Sequence, residues 1–256
     1  MLRNFFVAVL AIVVLNVICL NAGEVLLGKI KVTYDKTAEL TISYGDTVVV
    51  KHLYYYFRDE SESLNISVPS FRGFSEPVEE KLYDEAGNEK GVAVKWNVIP
   101  GSDKFMKGLA DGEQFVKLYL TKDEVKIELN LIPSNANLKG YGEIGLLLPE
   151  ETFAGGSYKG IYVSGSGQET PRSGDLPEER EPKQPNTKVF KSIEIETGKA
   201  LQKKLLLRIE IQNYKKIILQ DFRGYETAPW AGNWRIAAGM DNPLGKDVVI
   251  IEFEEK

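Results

Sequence analysis

The sequence predicts an all-β protein, most economically a two-sheet antiparallel β-sandwich with very little helix. Three observations lead there. From residue 25 onward apolar side chains recur at every second position, short turn-forming stretches separate those runs, and no apolar stripe of helical period extends beyond a turn or two.

In chain order, KIKVTY, AELTISY and TVVVKHLYYYF alternate apolar with polar residues and are joined by DKT and GD, both turn signals. The phase that turns Val48 and Val50 inward also turns His52, Tyr54 and Tyr56 inward. SDKFMKGLADG, after Ser102, predicts a turn or two of helix. FVKLYL and VKIELNLI flank Lys122 and Asp123 as a hairpin. Val116, Leu118 and Leu120 share one face of it, matched by Val125, Ile127, Leu129 and Leu131. GYGEIGLLLP reads as a strand with Glu143 at the outward position of a sheet edge. PEETFAGG predicts one helical turn, with Pro149 first and a glycine stop. KSIEIET turns at Gly198 into KKLLLRIEI, and KKIILQDF and KDVVIIEFE close the chain, giving roughly a dozen strands.

The first residues have a different character. MLRNFFVAVLAIVVLNVICLNAG carries one early cation, Arg3, an apolar run from Phe5 to Leu20 broken by Asn16, and the small residues Ala22 and Gly23. This is the pattern of a secretory signal peptide over residues 1–23, its run just short of a membrane-spanning helix. The mature chain is expected to begin between Asn21 and Val25, to be secreted or periplasmic, and to have no stable membrane insertion. The single cysteine, Cys19, falls within the leader, so the mature chain of 233 residues (256 − 23) is cysteine-free. A chain of that size buries enough surface to be held by its core alone.

Residues 24–256 are read as a single sandwich domain with a flexible loop at 165–188. GSGQETPRSGDLPEEREPKQPNTK is rich in glycine, proline, serine and charge, and Leu176 is its one apolar residue.

Composition narrows the chemistry. The net charge is −5, about −6 without Arg3, with no basic run, which argues against nucleic acid and anionic membrane surfaces. A lone histidine and no mature cysteine leave no paired-ligand zinc site. No G-x-S-x-G elbow, phosphate-binding loop or dinucleotide fingerprint is present. Asp241, Asn242 and Asp247 offer oxygens near one turn, but their spacing matches no EF-hand, and no metal or cofactor is assigned. Carboxylates are plentiful; Glu143, among glycines on an apolar strand, and Glu226 are the candidates for a glycoside-cleaving pair.

LQDFRGYETAPWAGNWRIAAG, Leu219 to Gly239, holds two of the three tryptophans. Aromatic faces stack on the apolar side of a sugar ring while carboxylates, amides and arginine bond its hydroxyls. Asp221, Arg223, Tyr225, Glu226, Trp230 and Asn233 supply that set and are the predicted ligand-binding residues, whereas Trp234, in phase with Ile236, is predicted to bury. Two roles compete for the stretch, a grip on an external partner and a pin for a loop.

The succession LLLRIEI, IILQDFRG, a tryptophan-bearing turn and WRIAAG resembles β-sandwich modules of bacterial carbohydrate-active proteins. VKLYLTKDEVKIELNLIP and EIGLLLPEETFAGG are similar in style to sandwiches of the galactose-mutarotase-like group. The resemblance implies the fold and a carbohydrate setting. Catalysis in that group uses a histidine with a glutamate, and this chain has His52 alone. The resulting expectation is an exported, non-catalytic, carbohydrate-associated or surface-interaction protein whose partner is a carbohydrate or cell-surface polymer. A polysaccharide hydrolase or lyase using Glu143 or Glu226, and a structural envelope protein without a small ligand, are the alternatives. A cleft with two facing carboxylates favours the hydrolase; a flat strip with Trp230 and tyrosines favours binding.

Overall fold

The structure is a computed structural model that describes residues 23–60, 65–69, 73–99, 113–132, 139–180, 187–198, 203–226, 230–241 and 245–256. Residues 1–22 of the signal peptide expected over 1–23, and the helix expected after Ser102, lie outside them. Among the described residues there are eighteen strands and one helical turn.

The chain opens with β1 (Gly23–Leu27), β2 (Ile30–Tyr34), β3 (Leu40–Tyr44) and β4 (Thr47–Val50), a four-stranded antiparallel sheet in that order. Next come β5 (His52–Asp59), β6 (Asn65–Val68), β7 (Val78–Tyr83), β8 (Glu89–Asn97), β9 (Phe115–Leu120), β10 (Glu124–Asn130) and β11 (Gly140–Pro149). The turn α1 (Glu150–Phe153) leads into β12 (Ser157–Val163), β13 (Glu169–Asp175) and β14 (Lys188–Glu196). The chain closes with β15 (Leu205–Gln212), β16 (Ile217–Asp221), β17 (Asn233–Asp241) and β18 (Lys246–Glu255).

These later strands form one fourteen-stranded sheet, ordered β6-β5-β11-β17-β16-β14-β15-β18-β10-β9-β8-β7, with β12 and β13 joined at β14. The strand β14 pairs with β16 through residues 188–190 and with β15 through residues 193–196. Inward residues on both sides of it, such as Leu146, Ile236 and Leu53 against Leu207, Ile251 and Ile127, belong to one core cluster. The sheet therefore folds over itself at β14, and its two halves are the layers of the sandwich. The expected all-β sandwich is present, but one long sheet makes both layers, and the small sheet packs beside them through Tyr34 edge-on to Trp96 (5.3 Å) and Tyr44 stacked on Phe253 (6.0 Å).

The expected hairpin pairs Leu120 with Val125, Leu118 with Ile127 and Val116 with Leu129, all buried, so the alternation read from sequence is the core pattern. One strand has the opposite phase to that expected. Leu53, Tyr55 and Phe57 face the core, and His52, Tyr54 and Tyr56 face outward. Val49 and Val50 are both buried, and the pairing of β3 with β4 shifts register at Ile42, so the period-two count slips by one before β5. His52 sits beside Glu39, with Nδ1 3.4 Å from the carboxylate; burial lowers its pKa and Glu39 counteracts that.

The segment expected as a flexible loop is built largely as a hairpin arm. β13 pairs with β12 from Ser157↔Asp175 to Val163↔Glu169, about a turn at Ser164–Gln168. Its single apolar residue anchors it: Leu176 is buried and exchanges backbone hydrogen bonds with Gly155 and Gly156, just after α1. Residues 181–186 lie outside the described set. The predicted turn at PEETF is α1, where Phe153 is buried and the Thr152 hydroxyl donates to the Val48 carbonyl at 2.7 Å.

At one end of the sandwich, Asp247 is 1% exposed, and its carboxylate and the hydroxyls of Tyr55 and Tyr214 lack hydrogen-bond partners among the described residues. Burial pushes the Asp247 carboxyl up to about 6, which Tyr214 beside it only partly offsets. The folded state then holds this proton more tightly than the unfolded chain, whose carboxyl titrates near 3.8. The favourable contribution is full below that value and is lost as pH rises through about 6. Asp247→Asn is accordingly expected to raise unfolding free energy by about 3 kcal/mol at pH 7–8 and by little near pH 4. Urea unfolding of both proteins across that range checks it; a constant difference contradicts the assignment.

Candidate functional site

The predicted residues divide into two groups with opposite roles. The stretch from Asp221 to Trp234 contains a buried clamp. Arg223 is 1% exposed, and its guanidinium donates to both Asp221 oxygens, at 2.9 Å through Nε and 2.6 Å through Nη2. It also reaches the carbonyls of Glu178 (3.3 Å) and Glu179 (2.9 Å) and lies 3.4 Å from Glu150. Its plane rests 3.8 Å from the centre of the Trp234 ring. Every direction in which the fork could meet a ligand is filled by protein, so the expected ligand-binding role of Arg223 and its partner Asp221 is corrected to that of a clamp. It ties the returning arm to the sheet. Asn233 is likewise buried, and its amide donates to the Ala231 carbonyl at 2.8 Å, shaping the turn. Trp234 is buried, as expected.

The second group lies on the outer face of β5, β11, β17 and β16. Register places Glu143 between Tyr56 and Gly239, and Gly145 between Tyr54 and Ala237. Glu143 is outward as predicted, but on a central strand with partners on both sides. Gly145, the last glycine of GYGEIG, and Gly239 on β17 have a physical reason. A Cβ at Gly145 would strike the Tyr54 ring, and one at Gly239 the Tyr141 hydroxyl, so the glycines let the tyrosines lie close over the sheet.

At the centre, Glu143 pairs with Arg235 and accepts from the hydroxyls of Tyr54 (2.7 Å) and Tyr141 (3.0 Å). Arg235 further donates to the Tyr54 hydroxyl oxygen (2.6 Å) and to Gln220 (2.7 Å). Burial raises the Tyr54 phenol above its ordinary range, and burial with the nearby Glu143 charge pushes Tyr141 up to about 12, so both remain donors at neutral pH.

Trp230 caps this cluster, its ring 4.7 Å from the Arg235 guanidinium, 6.3 Å from Tyr54 and edge-on to Phe222 at 5.6 Å. Phe222 in turn packs on Tyr225 at 4.9 Å. Trp230 is partly exposed, Tyr56 is 36% and Tyr141 44% exposed, and Glu226 is exposed beyond them. The structure thus brings Trp230 and Glu143 together, with Tyr225 at the margin, and adds Arg235, Tyr54, Tyr56 and Tyr141. Sequence reasoning missed Arg235, for which its place between buried Trp234 and Ile236 was the available signal, and Tyr54 and Tyr56 were hidden by the phase slip before β5.

The arrangement is a shallow aromatic face around a saturated ion pair. Glu143 is engaged by three donors, from Arg235, Tyr54 and Tyr141, and no second carboxyl group is among its contacts in the described residues, whereas glycoside cleavage uses two. No group of three potential metal-ligating side chains occurs among the described residues. Asn242 lies outside them, and Asp241 is exposed while Asp247 is buried. No helix of the described residues is long and apolar enough to cross a membrane.

No protein-family model and no curated protein sequence matches the chain. Solved structures do match in fold. The Slr1438 protein of Synechocystis sp. PCC 6803 aligns over 92% of this chain and 96% of its own, with TM-score 0.53 and 7% identity. A Pseudoalteromonas glycoside hydrolase family 97 enzyme aligns over 91% of this chain and 36% of its own (TM-score 0.52, 11% identity). A beta-arabinopyranosidase aligns over 89% of this chain and 39% of its own (TM-score 0.52, 11% identity). At these identities the shared property is the β-sandwich fold. The chain spans little more than a third of each of those two enzymes.

Proposed function

We propose that this is an exported, non-catalytic, carbohydrate-associated protein that receives sugar rings on the face formed by Tyr56, Tyr141 and Trp230. One observation carries the reading: partly exposed aromatic rings surround the polar Glu143–Arg235 pair on a sheet face that Gly145, Ala237 and Gly239 keep flat. Stacking on aromatic rings combined with a few fixed donors and acceptors is the chemistry that recognises a sugar. Two solved structures of similar fold are named as a glycoside hydrolase and an arabinopyranosidase, which supports the carbohydrate setting. Export rests on the leader pattern of residues 1–23. The saturated state of Glu143 supports binding over hydrolysis.

Trp230→Ala and Tyr141→Ala are expected to weaken binding about tenfold each to whichever glycan an array selects, with no sugar released on prolonged incubation. Trp230→Ala should lower stability less than truncation of a fully buried tryptophan. Unchanged affinity in both variants, or release of reducing ends from the bound glycan, would overturn the proposal.

A further inference from the structure

The opposite layer carries a trough of about 1310 Å³ across β12, β13, β14, β15 and β18. Two rows of side chains floor it. In the first, register aligns Lys159, Glu194, Arg208 and Glu252, alternating in sign. Lys159 meets Glu194 at 2.9 Å, and Arg208 reaches Glu194 at 3.4 Å and Glu252 at 3.7 Å. In the second row, Ile161 faces Ser192 and Glu210 faces Ile250; Ile193 opposite Ile209 brings Ser192 level with Glu210. Arg172, Lys191 and Glu169 complete a lining of four cationic and four anionic side chains.

That balance has a chemical consequence. A strongly charged polymer gains nothing from a lining of zero net charge, while a vicinal diol can donate to a carboxylate and accept from the adjacent cation. The apolar patches at Ile161 and Ile250 suit the faces of sugar rings. The volume exceeds the roughly 300–1,000 Å³ of ordinary small-molecule pockets, so it accommodates several linked rings.

We propose that this trough is a second binding site, independent of the aromatic face, which takes an uncharged oligosaccharide laid across the strands with Glu210 accepting from its hydroxyls. The full chain would then hold two glycan segments on opposite layers.

The test is calorimetric titration with neutral oligosaccharides of four to six rings (cello-, xylo- and malto-series), beside oligogalacturonate and chitosan oligomers as charged probes. The expected result is two neutral oligosaccharides per chain. Glu210→Ala, an exposed change, should weaken one by at least fivefold, and Ser192→Trp should abolish the same one by filling the lane, while Trp230→Ala weakens the other about tenfold. Loss of all binding in Trp230→Ala alone overturns the trough. Loss of all binding in Ser192→Trp and Glu210→Ala alone supports the trough and overturns the aromatic face. Preference for a charged probe, or no neutral binding at all, overturns the assigned ligand.

Discussion

Trp234→Ala is expected to lower the unfolding free energy by about 3–5 kcal/mol, as truncation of a buried aromatic does. The ring is fully enclosed, in one core cluster with Leu219, Ile236 and Leu148, so its removal leaves a cavity that two paired strands, β16 and β17, prevent from collapsing. It also deprives Arg223 of the surface on which its guanidinium rests. Thermal and urea unfolding measure the change. A loss below about 1 kcal/mol would mean that the ring is solvent-exposed in solution, contrary to its burial.

Arg223→Ala should cost a comparable amount, about 3–5 kcal/mol, for a different reason. The Asp221 carboxylate, with 9% of its side chain exposed, would be left without its partner, and the carbonyls of Glu178 and Glu179 would lose their donor. Burying an unpaired charge is costlier than losing the pair's attraction. Because Arg223 and Trp234 touch, their effects should be less than additive in the double variant, by about 1 kcal/mol or more. Arg223→Lys should rescue little, since a point ammonium cannot replace the two-pronged contact with Asp221. Full additivity would show that the clamp and the ring act separately. Glycan affinity measured on residual folded Arg223→Ala protein should be unchanged, which separates the clamp from the aromatic face.

The question posed by the Trp-rich stretch therefore has two answers a few residues apart. Composition made Asp221, Arg223 and Trp230 look alike, each a reasonable part of a sugar site. Distinguishing them needed the third dimension: Arg223 points where residues 178 and 179 return from the arm, some forty-five positions upstream. The Glu143–Arg235–Tyr54 cluster was half legible. Glycine spacing marked Glu143 but nothing singled out Arg235, and the partner strand β5 is nearly ninety positions away from Glu143, its phase lost at the register shift between Val48 and Val50. The trough was invisible for the same reason. Its rows run across strands, so neighbours such as Lys159, Glu194 and Arg208 are never neighbours in sequence.

What the sequence determined by itself is everything governed by local periodicity. Alternation at every second residue fixes strand identity and the inward set, as in Val116 to Leu120 and Leu205 to Ile211, because each side chain's face follows from its parity along a pleated backbone. What only the tertiary structure decided is which strands lie side by side: that one sheet folds at β14 into two layers, that the arm is a hairpin clamped by Arg223, and that Trp230 roofs Arg235 and Glu143. Cross-strand order is set by long-range burial and register, and a sequence that tells each residue which way to face does not tell it whom it will meet.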